Sequence, residues 1–227
     1  MRPGPSAAER AVWPDASRWL PPDHEVPVLA TALQACRGCD LHAGTTQAVP
    51  GAGPSDAHVM LVGEQPGDRE DRVGEPFVGP AGRLLDQALT DAGLDPRAAF
   101  RTNAVKHFRH VDRGHKRIHR TPTRWQVAQC RPWLLAELDA VRPHTVVLLG
   151  ATAGRSVFGP AFTVEAYRGR ELGWPEHLPG PAPAQVLATV HPAAVLRSRQ
   201  RDTALSGLVA DLRLAARPPR RGSPGRP

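Results

Sequence analysis

The chain has 227 residues but only three cysteines, and it has no apolar run long enough, about 18 residues, to cross a membrane. It also lacks a signal-peptide pattern, so we expect a soluble protein of the bacterial cytosol or nucleoid. An odd cysteine count in a reducing compartment favours metal or cluster ligation, or simple burial, over disulfide bonds. No Gly-x-Gly-x-x-Gly sequence opens the first helix of the α/β pattern, which disfavours a nucleotide-binding Rossmann protein.

The charge balance is basic, with 29 Lys and Arg against 22 Asp and Glu, a net charge of +7 and a pI near 10.5. Such a balance favours an anionic partner, and nucleic acid is the obvious candidate. On its own this evidence is weak, because arginine-rich proteomes contain many basic proteins.

The composition divides the chain into three parts. Residues 1–27 are rich in proline and have little periodicity, which predicts a flexible N-terminal arm. Residues 28–216 suit one domain with a real core. Residues 217–227 are basic and proline-rich, which predicts a disordered tail.

Apolar runs alternate with helical patterns along the domain. The runs typical of strands are His58–Val62, Phe100–Val105, Thr145–Leu149 and Gln185–Val190, and the helical patterns are Gly82–Ala92, Thr123–Val141, Ala151–Phe158 and Ala204–Ala216. This alternation predicts an α/β fold of three layers, α/β/α, around a central sheet of four parallel strands.

Polar residues cluster where each predicted strand ends. They are Glu64 and Gln65 after the first strand, Asn103 and His107 after the second, Gly150-Ala-Thr after the third, and His191 after the fourth. Open parallel sheets bind ligands beyond the carboxyl ends of their strands, so one crevice could collect all of these residues.

The loop that follows the first strand has the composition of a pocket wall. Between Gly63 and Leu85 it combines acidic residues, an amide, Phe77 and five glycines, more glycines than a simple turn needs. Within it we interpret Glu70 and Asp71 as part of a solvated acidic turn. Asp68 is a candidate for substrate contact.

The cysteines allow several interpretations. Cys36-Arg-Gly-Cys39 is a C-x-x-C pair that suits half of a zinc site, a redox pair or an accident of sequence. Cys130 lies far away, inside the pattern of a long helix. A cluster held only by thiolates needs four of them, and the chain has three.

Taken together, these motifs resemble those of the iron–sulfur uracil-DNA glycosylases of families 4 and 5, over roughly residues 33–216. The resemblance implies a uracil-DNA glycosylase-like fold and a 4Fe-4S cluster held by Cys36, Cys39, Cys130 and a fourth ligand in Asn103-Ala-Val-Lys-His107. His107 stands where a cysteine is usual, and imidazole is an adequate iron ligand. The alternative is that His107 is a surface histidine and the cluster is degenerate or absent.

The resemblance also implies roles in the pocket. Phe77 would stack on a flipped uracil, Asn103 would read the edge of the base, and His191 would donate a hydrogen bond to uracil O2 as charge develops there. His191 opens a segment that ends at Arg197 and resembles the loop that enters DNA. In that segment Ala193 and Ala194 replace small hydroxyl residues, so Arg197 is the candidate for DNA contact.

A basic insertion, residues 113–122, distinguishes the chain from the plainer family 4 pattern. Lys116, Arg117 and Arg120 are candidates for phosphate contacts. Lys116-Arg-Ile-His119, together with Gly63-Glu-Gln-Pro-Gly67, resembles the UdgX subgroup, in which the loop histidine bonds covalently to deoxyribose after uracil leaves. The resemblance then makes Glu64, His119 and His191 catalytic, and Gln65 and Asp68 substrate-binding.

Two other functions remain open on the sequence. One is an ordinary family 4 glycosylase that turns over repeatedly, and the other is a non-catalytic iron–sulfur protein that binds nucleic acid or senses redox state. For the glycosylase we expect a monomer acting on uracil-containing DNA, single-stranded DNA included.

Overall fold

The computed structural model describes residues 5–216, so the predicted tail at 217–227 lies outside the described residues. The strands are β1 (Val59–Gly63), β2 (Ala99–Asn103), β3 (His110–Arg113), β4 (Lys116–His119), β5 (Thr145–Leu149), β6 (Glu171–Leu172) and β7 (Gln185–Thr189). The helices are α1 (Ala7–Ala11), α2 (Val26–Leu33), α3 (Asp68–Val73), α4 (Pro80–Asp91), α5 (Arg124–Val141), α6 (Ala151–Phe158), α7 (Val164–Tyr167), α8 (Pro192–Arg197) and α9 (Arg201–Ala215).

The central sheet has the strand order β2-β1-β5-β7-β6. The first four of these strands are parallel, which confirms the predicted four-stranded core. The prediction missed β6, which adds a short antiparallel edge beside β7. With only two residues, β6 is too short to show the periodicity from which strands are predicted.

Helices cover both faces of this sheet, as the three-layer prediction requires. Met60 and Val62 of β1 face a core completed by α5, α6 and α7, whereas Val59 and Leu61 face a core completed by α4, α8 and α9. This alternation follows from the two-residue period of a strand. In residues 5–216 no helix combines the length and the apolar character that a membrane crossing needs.

A third, smaller core joins the N-terminal segment to α5 and includes all three cysteines. Ala16, in the 3₁₀ turn Ala16–Trp19, is 1% exposed. The Trp13 indole N–H donates to the carbonyl of Arg37 at 2.9 Å, and the Trp13 ring packs edge-on against Trp125. Residues 13–19 of the predicted arm are therefore packed against the domain, whereas α1 before them has no buried residue.

The basic insertion forms a two-stranded antiparallel hairpin, β3–β4, outside the main sheet. His119 is the last residue of β4 and pairs with His110 at the open end of the hairpin. The sequence analysis treated this segment as a loop. The hairpin matters for function because it fixes the backbone position of His119.

Candidate active site at the carboxyl ends of the strands

The pocket begins where β1 and β2 end side by side, with Gly63 paired to Asn103. A Cβ atom at Gly63 would lie 2.4 Å from Asn103 Oδ1 and 2.7 Å from Phe77 Cζ. Glycine is thus what lets the Asn103 amide and the Phe77 ring approach the strand. Both side chains are buried beside the end of β1, and this position is the candidate recess for a base.

Phe77 is held in an unusual backbone conformation, with φ at 60°. Left-handed conformations are uncommon for residues other than glycine and persist where the surroundings enforce them. Here α4 enforces it, because a Cβ at Gly82 would lie 1.6 Å from the Phe77 carbonyl oxygen. The aromatic ring is centred 6.3 Å from the His191 ring, at an interplanar angle of 25°. The two rings therefore lie at the same recess without touching face to face.

His191 caps the N-terminus of α8 with its own ring. The Ala193 backbone N–H donates to His191 Nδ1 at 3.1 Å, so Nδ1 is the acceptor and the ring proton is on Nε2. Burial lowers the pKa of His191 to about 4, and the nearby charges of Arg197 and His119 act in the same direction. At neutral pH His191 is therefore an uncharged donor through Nε2–H.

Glu64 links His119 to α6. Its Oε1 lies 3.3 Å from His119 Nε2, and its Oε2 accepts a hydrogen bond from the Thr152 hydroxyl. The His119 side chain is 48% exposed, so it remains accessible from outside. Partial burial lowers the pKa of His119; Glu64 opposes this effect and Arg197 adds to it, so that the pKa lies below its usual value. At pH 7 the ring is mainly neutral, which leaves one nitrogen lone pair available.

The hairpin is anchored by residues that the sequence analysis assigned to substrate and DNA. Gln65 donates to the carbonyls of Arg109 and Arg120 at 3.2 and 3.1 Å and accepts from the Arg109 N–H at 2.9 Å. Arg117 pairs with Asp68, and with Asp71 at 2.6 Å. In the structure Gln65, Asp68 and Arg117 therefore position the strand that carries His119.

The predicted solvated acidic turn at Glu70 and Asp71 is wrong. Glu70 accepts from the backbone N–H groups of Gly67 and Gly79, at 3.1 and 2.7 Å. The Asp71 side chain is 0% exposed and accepts from Thr46 N at 3.1 Å as well as from Arg117. Buried carboxylates need such partners, and these two close the loop around Phe77.

Three of the predicted DNA contacts do remain exposed: Lys116, Arg120 and Arg197. Lys116 and Arg120 belong to the hairpin and its exit, and Arg197 ends α8. The charge of Arg197 lowers the pKa of both His119 and His191, so Arg197 lies near these two histidines.

The three cysteines lie together in the third core, all buried and none in a disulfide. Cys36 Sγ accepts from the Trp133 indole N–H at 3.2 Å, and Cys130 Sγ accepts from the Lys106 backbone N–H at 3.2 Å. Burial raises the pKa of Cys39 well above its usual value and that of Cys130 to about 12, and the neighbouring cysteines raise both further.

His107 is buried at the end of the loop that follows β2. Burial lowers its pKa to about 4, with His42 and Arg37 acting in the same direction. The neutral imidazole is the form that binds metals. A second histidine that the motifs do not point to, His42, is also near the cysteines, with its Nδ1 2.6 Å from the Cys39 carbonyl oxygen.

Comparison with known proteins decides the family. Residues 50–213 match the family described as the uracil DNA glycosylase superfamily. The chain belongs to this superfamily. It is 34% identical over 176 residues to the type-4 uracil-DNA glycosylase of Thermotoga maritima, covering 77% of this chain and 85% of that protein. The type-4 enzyme of Archaeoglobus fulgidus is 36% identical over 171 residues, covering 72% of this chain and 79% of that protein.

A shorter match involves a type-5 enzyme. A type-5 uracil-DNA glycosylase of Pyrobaculum aerophilum is 36% identical over 124 residues, covering 48% of this chain and 51% of that protein. Similarity to the type-4 proteins therefore extends over much more of this chain. None of these comparisons distinguishes the UdgX subgroup, which stays a prediction.

The buried cysteines and His107 of this domain are donor types that iron–sulfur clusters use. In residues 5–216 no three His, Cys, Asp or Glu side chains converge on a position for one metal ion. In a 4Fe-4S cluster each ligand binds a different iron, so the ligands need not converge. The N–H groups aimed at Cys36 and Cys130 Sγ suit thiolates, because an N–H donor stabilises a negatively charged sulfur.

A buried ion pair braces the loop that carries His107. Lys106 is 0% exposed, and its ammonium lies 2.6 Å from Glu137 Oε2 on α5. The other Glu137 oxygen accepts from Gly51 N at 2.9 Å, and Thr102 also donates to the pair. The sequence pattern does not predict this ion pair, because Lys106 and Glu137 are far apart along the chain.

Proposed function

We propose that the protein excises uracil from DNA and that His119 then captures the deoxyribose covalently. The observation that carries the proposal is the contact between Glu64 and a neutral, accessible His119 beside the recess of Asn103 and Phe77. Support for the excision step comes from the relatives named type-4 uracil-DNA glycosylase. The substrate is uracil-containing DNA, single-stranded DNA included, and the protein acts as a cytosolic monomer.

Recognition begins with a base flipped out of its strand. The Asn103 amide both donates and accepts, so it can match the N3–H and O4 edge of uracil and reject the reversed pattern of cytosine. Phe77 supplies an apolar face for the ring. His191 donates its Nε2–H to uracil O2, where negative charge accumulates as the C1′–N1 bond breaks and its electron pair leaves with the base.

Departure of uracil leaves C1′ electrophilic. The ring nitrogen of His119 that carries no proton supplies its lone pair and forms the N–C1′ bond, and water competes poorly because the imidazole is already in place. The alkylated ring then loses the proton on its other nitrogen to Glu64. The departed uracil anion is reprotonated from solvent. The resulting neutral N-alkylimidazole is a poor leaving group, so the protein stays on its product.

The cluster that we propose is a 4Fe-4S group held by Cys36, Cys39, His107 and Cys130. When bound, it supplies structural cross-links, since glycosidic cleavage transfers no electrons. Its ligands connect the turn after α2, the loop after β2 and helix α5. These are the segments that lie behind the Asn103 side of the pocket.

The direct test is incubation of the protein with a uracil-containing single-stranded oligonucleotide, followed by a denaturing gel. A shifted band that survives denaturation supports covalent capture. Alkali-labile sites without a shift indicate an ordinary glycosylase that turns over. Binding with neither outcome indicates a non-catalytic nucleic-acid-binding protein. Either of the last two results overturns the proposal of covalent capture.

Replacement of Asn103 by aspartate should sharply reduce uracil excision. The change Asn103→Asp removes the amide donor and places an acceptor against a uracil acceptor, a buried mismatch that costs roughly 1–3 kcal/mol or about 5- to 150-fold in rate. Single-turnover release of uracil measures the effect. Gln87→Glu, the same chemical change at an exposed site on α4, should leave the rate unchanged. Full activity in Asn103→Asp would show that this side chain does not read the base.

Acid pH should suppress capture before it suppresses uracil release. Capture needs the neutral form of His119, whose pKa lies below its usual value, so the capture rate should be constant through neutral pH and fall as the pH drops through that lowered pKa. His191 titrates only near pH 4 and stays a neutral donor down to about pH 5. Adduct and free uracil measured in parallel from pH 8 to pH 5 should diverge at the acid end. Parallel decline of both would contradict the separate roles of the two histidines.

A further inference from the structure

A cavity of about 220 Å³ lies between α5 and α6, next to the active site. Arg124 and Arg131 line it from α5, and Arg155 lines it from α6. Thr152 forms part of its wall, and the Thr152 hydroxyl donates to Glu64. The cavity is therefore separated from the Glu64–His119 pair by a single side chain.

The charges around this cavity have one sign. Its lining contains three arginines and no carboxylate. Across the described part of the chain, none of the three forms an ion pair with an acidic side chain. In addition, the buried Nε of Arg131 has no hydrogen-bond partner among residues 5–216. Like charges repel and an unsatisfied buried donor is costly, so the arrangement favours an anion in the cavity.

We propose that this cavity binds a phosphate group of the DNA strand, one that flanks the target uridine. The inference rests on the proposed function, because the strand that brings C1′ to His119 carries a phosphodiester on each side of that sugar. Guanidinium groups match phosphate oxygens with paired N–H donors. The cavity is smaller than the roughly 300–1,000 Å³ of sites for drug-sized ligands, so it suits one phosphate group.

This cavity is a different site from the candidate DNA contacts already described, Lys116, Arg120 and Arg197. The cavity arginines lie on α5 and α6, whereas Lys116 and Arg120 belong to the hairpin on which His119 is carried. Contacts on both sides would hold the strand across His119. The sugar would then have little freedom to leave the attacking nitrogen once uracil has departed.

The test measures binding without chemistry. An oligonucleotide containing 2′-fluoro-2′-deoxyuridine serves as probe, because the electron-withdrawing fluorine slows departure of the base. Arg131→Gln and Arg155→Gln should each weaken binding about tenfold and reduce the magnitude of the salt slope by about 0.7, the value for one lost contact to a single strand. Arg97→Gln is the matched control, because Arg97 is exposed in the turn before β2, at the amino-terminal end of a strand whose carboxyl end faces the site. It should change neither quantity.

A second measurement locates the phosphate. Single methylphosphonates, which are neutral, replace each phosphate around the modified uridine in turn. The proposal expects one position at which the substitution weakens binding by the wild-type protein but no longer weakens binding by Arg155→Gln, whose exposed side chain makes one hydrogen bond within residues 5–216, from Nε to the Phe162 carbonyl. If the substitution weakens binding equally in the wild type and in Arg155→Gln at every position, the proposed phosphate contact is wrong.

The same measurements distinguish a site for free phosphate from a site for DNA phosphate, and they separate this proposal from the proposed function. If inorganic phosphate raises the Tm of the wild type but not of Arg131→Gln, while the methylphosphonate scan is flat, the cavity holds free phosphate and the DNA assignment is wrong. If the scan identifies one phosphate but natural uracil DNA is neither cleaved nor captured, this proposal stands and the proposed function fails.

Discussion

Replacement of His119 by serine should abolish the adduct that survives denaturation while uracil release continues. In the proposed mechanism release depends on Phe77, Asn103 and His191, and the change replaces none of them. The smaller side chain leaves room for water at C1′, so His119→Ser should release uracil over repeated turnovers as a conventional glycosylase does. A denaturing gel measures the first effect, and uracil released per protein molecule at excess DNA measures the second.

The matched control for this variant is His115→Ser. His115 is an exposed histidine between β3 and β4 on the same hairpin, and it should retain the full adduct when replaced. His191→Ala should behave differently from both, slowing release and capture together, because capture follows release. If His119→Ser still forms the adduct, another nucleophile is responsible and His115 is the first to examine.

The parallel sheet could be predicted because its strands are continuous apolar runs. Thr145–Leu149 is buried on both faces and has the predicted boundaries, and the polar residues after each run fall at one edge. The edge strand β6 could not be predicted, since its pairing with β7 depends on a neighbour in space and it leaves no pattern of its own.

The partners of the site residues were harder to predict than their positions. Glu64, Asn103 and His191 follow strand ends, so their convergence follows from topology. Arg117 contacts Asp71 across 46 positions in the chain, and composition alone suggested that both faced solvent. Thr152 stood out as a polar residue after the third strand, but only the fold shows that it holds Glu64.

Loss of one cysteine should remove the cluster. Cys130→Ala should give a colourless protein with little iron, whereas the wild type should be brown, because the change removes one of four ligands and the one that ties the cluster to α5. Iron content and visible absorbance are the measurements, independent of any DNA assay. The Tm should also fall by more than the roughly 2–4 °C that 1 kcal/mol produces in a domain of this size, because cluster binding contributes to folding.

The identity of the fourth ligand can be tested by replacing His107 and His42 one at a time. His107→Ala should lose iron, and His107→Cys should keep it, since thiolate is the commoner ligand of such clusters. His42→Ala is the matched control, because His42 is close enough to influence the pKa of His107 and yet makes its own contact with the Cys39 carbonyl. Iron retained in His107→Ala but lost in His42→Ala would transfer the assignment to His42. Iron unchanged in Cys130→Ala would overturn the ligand set as a whole, and a colourless wild-type protein containing zinc would do the same.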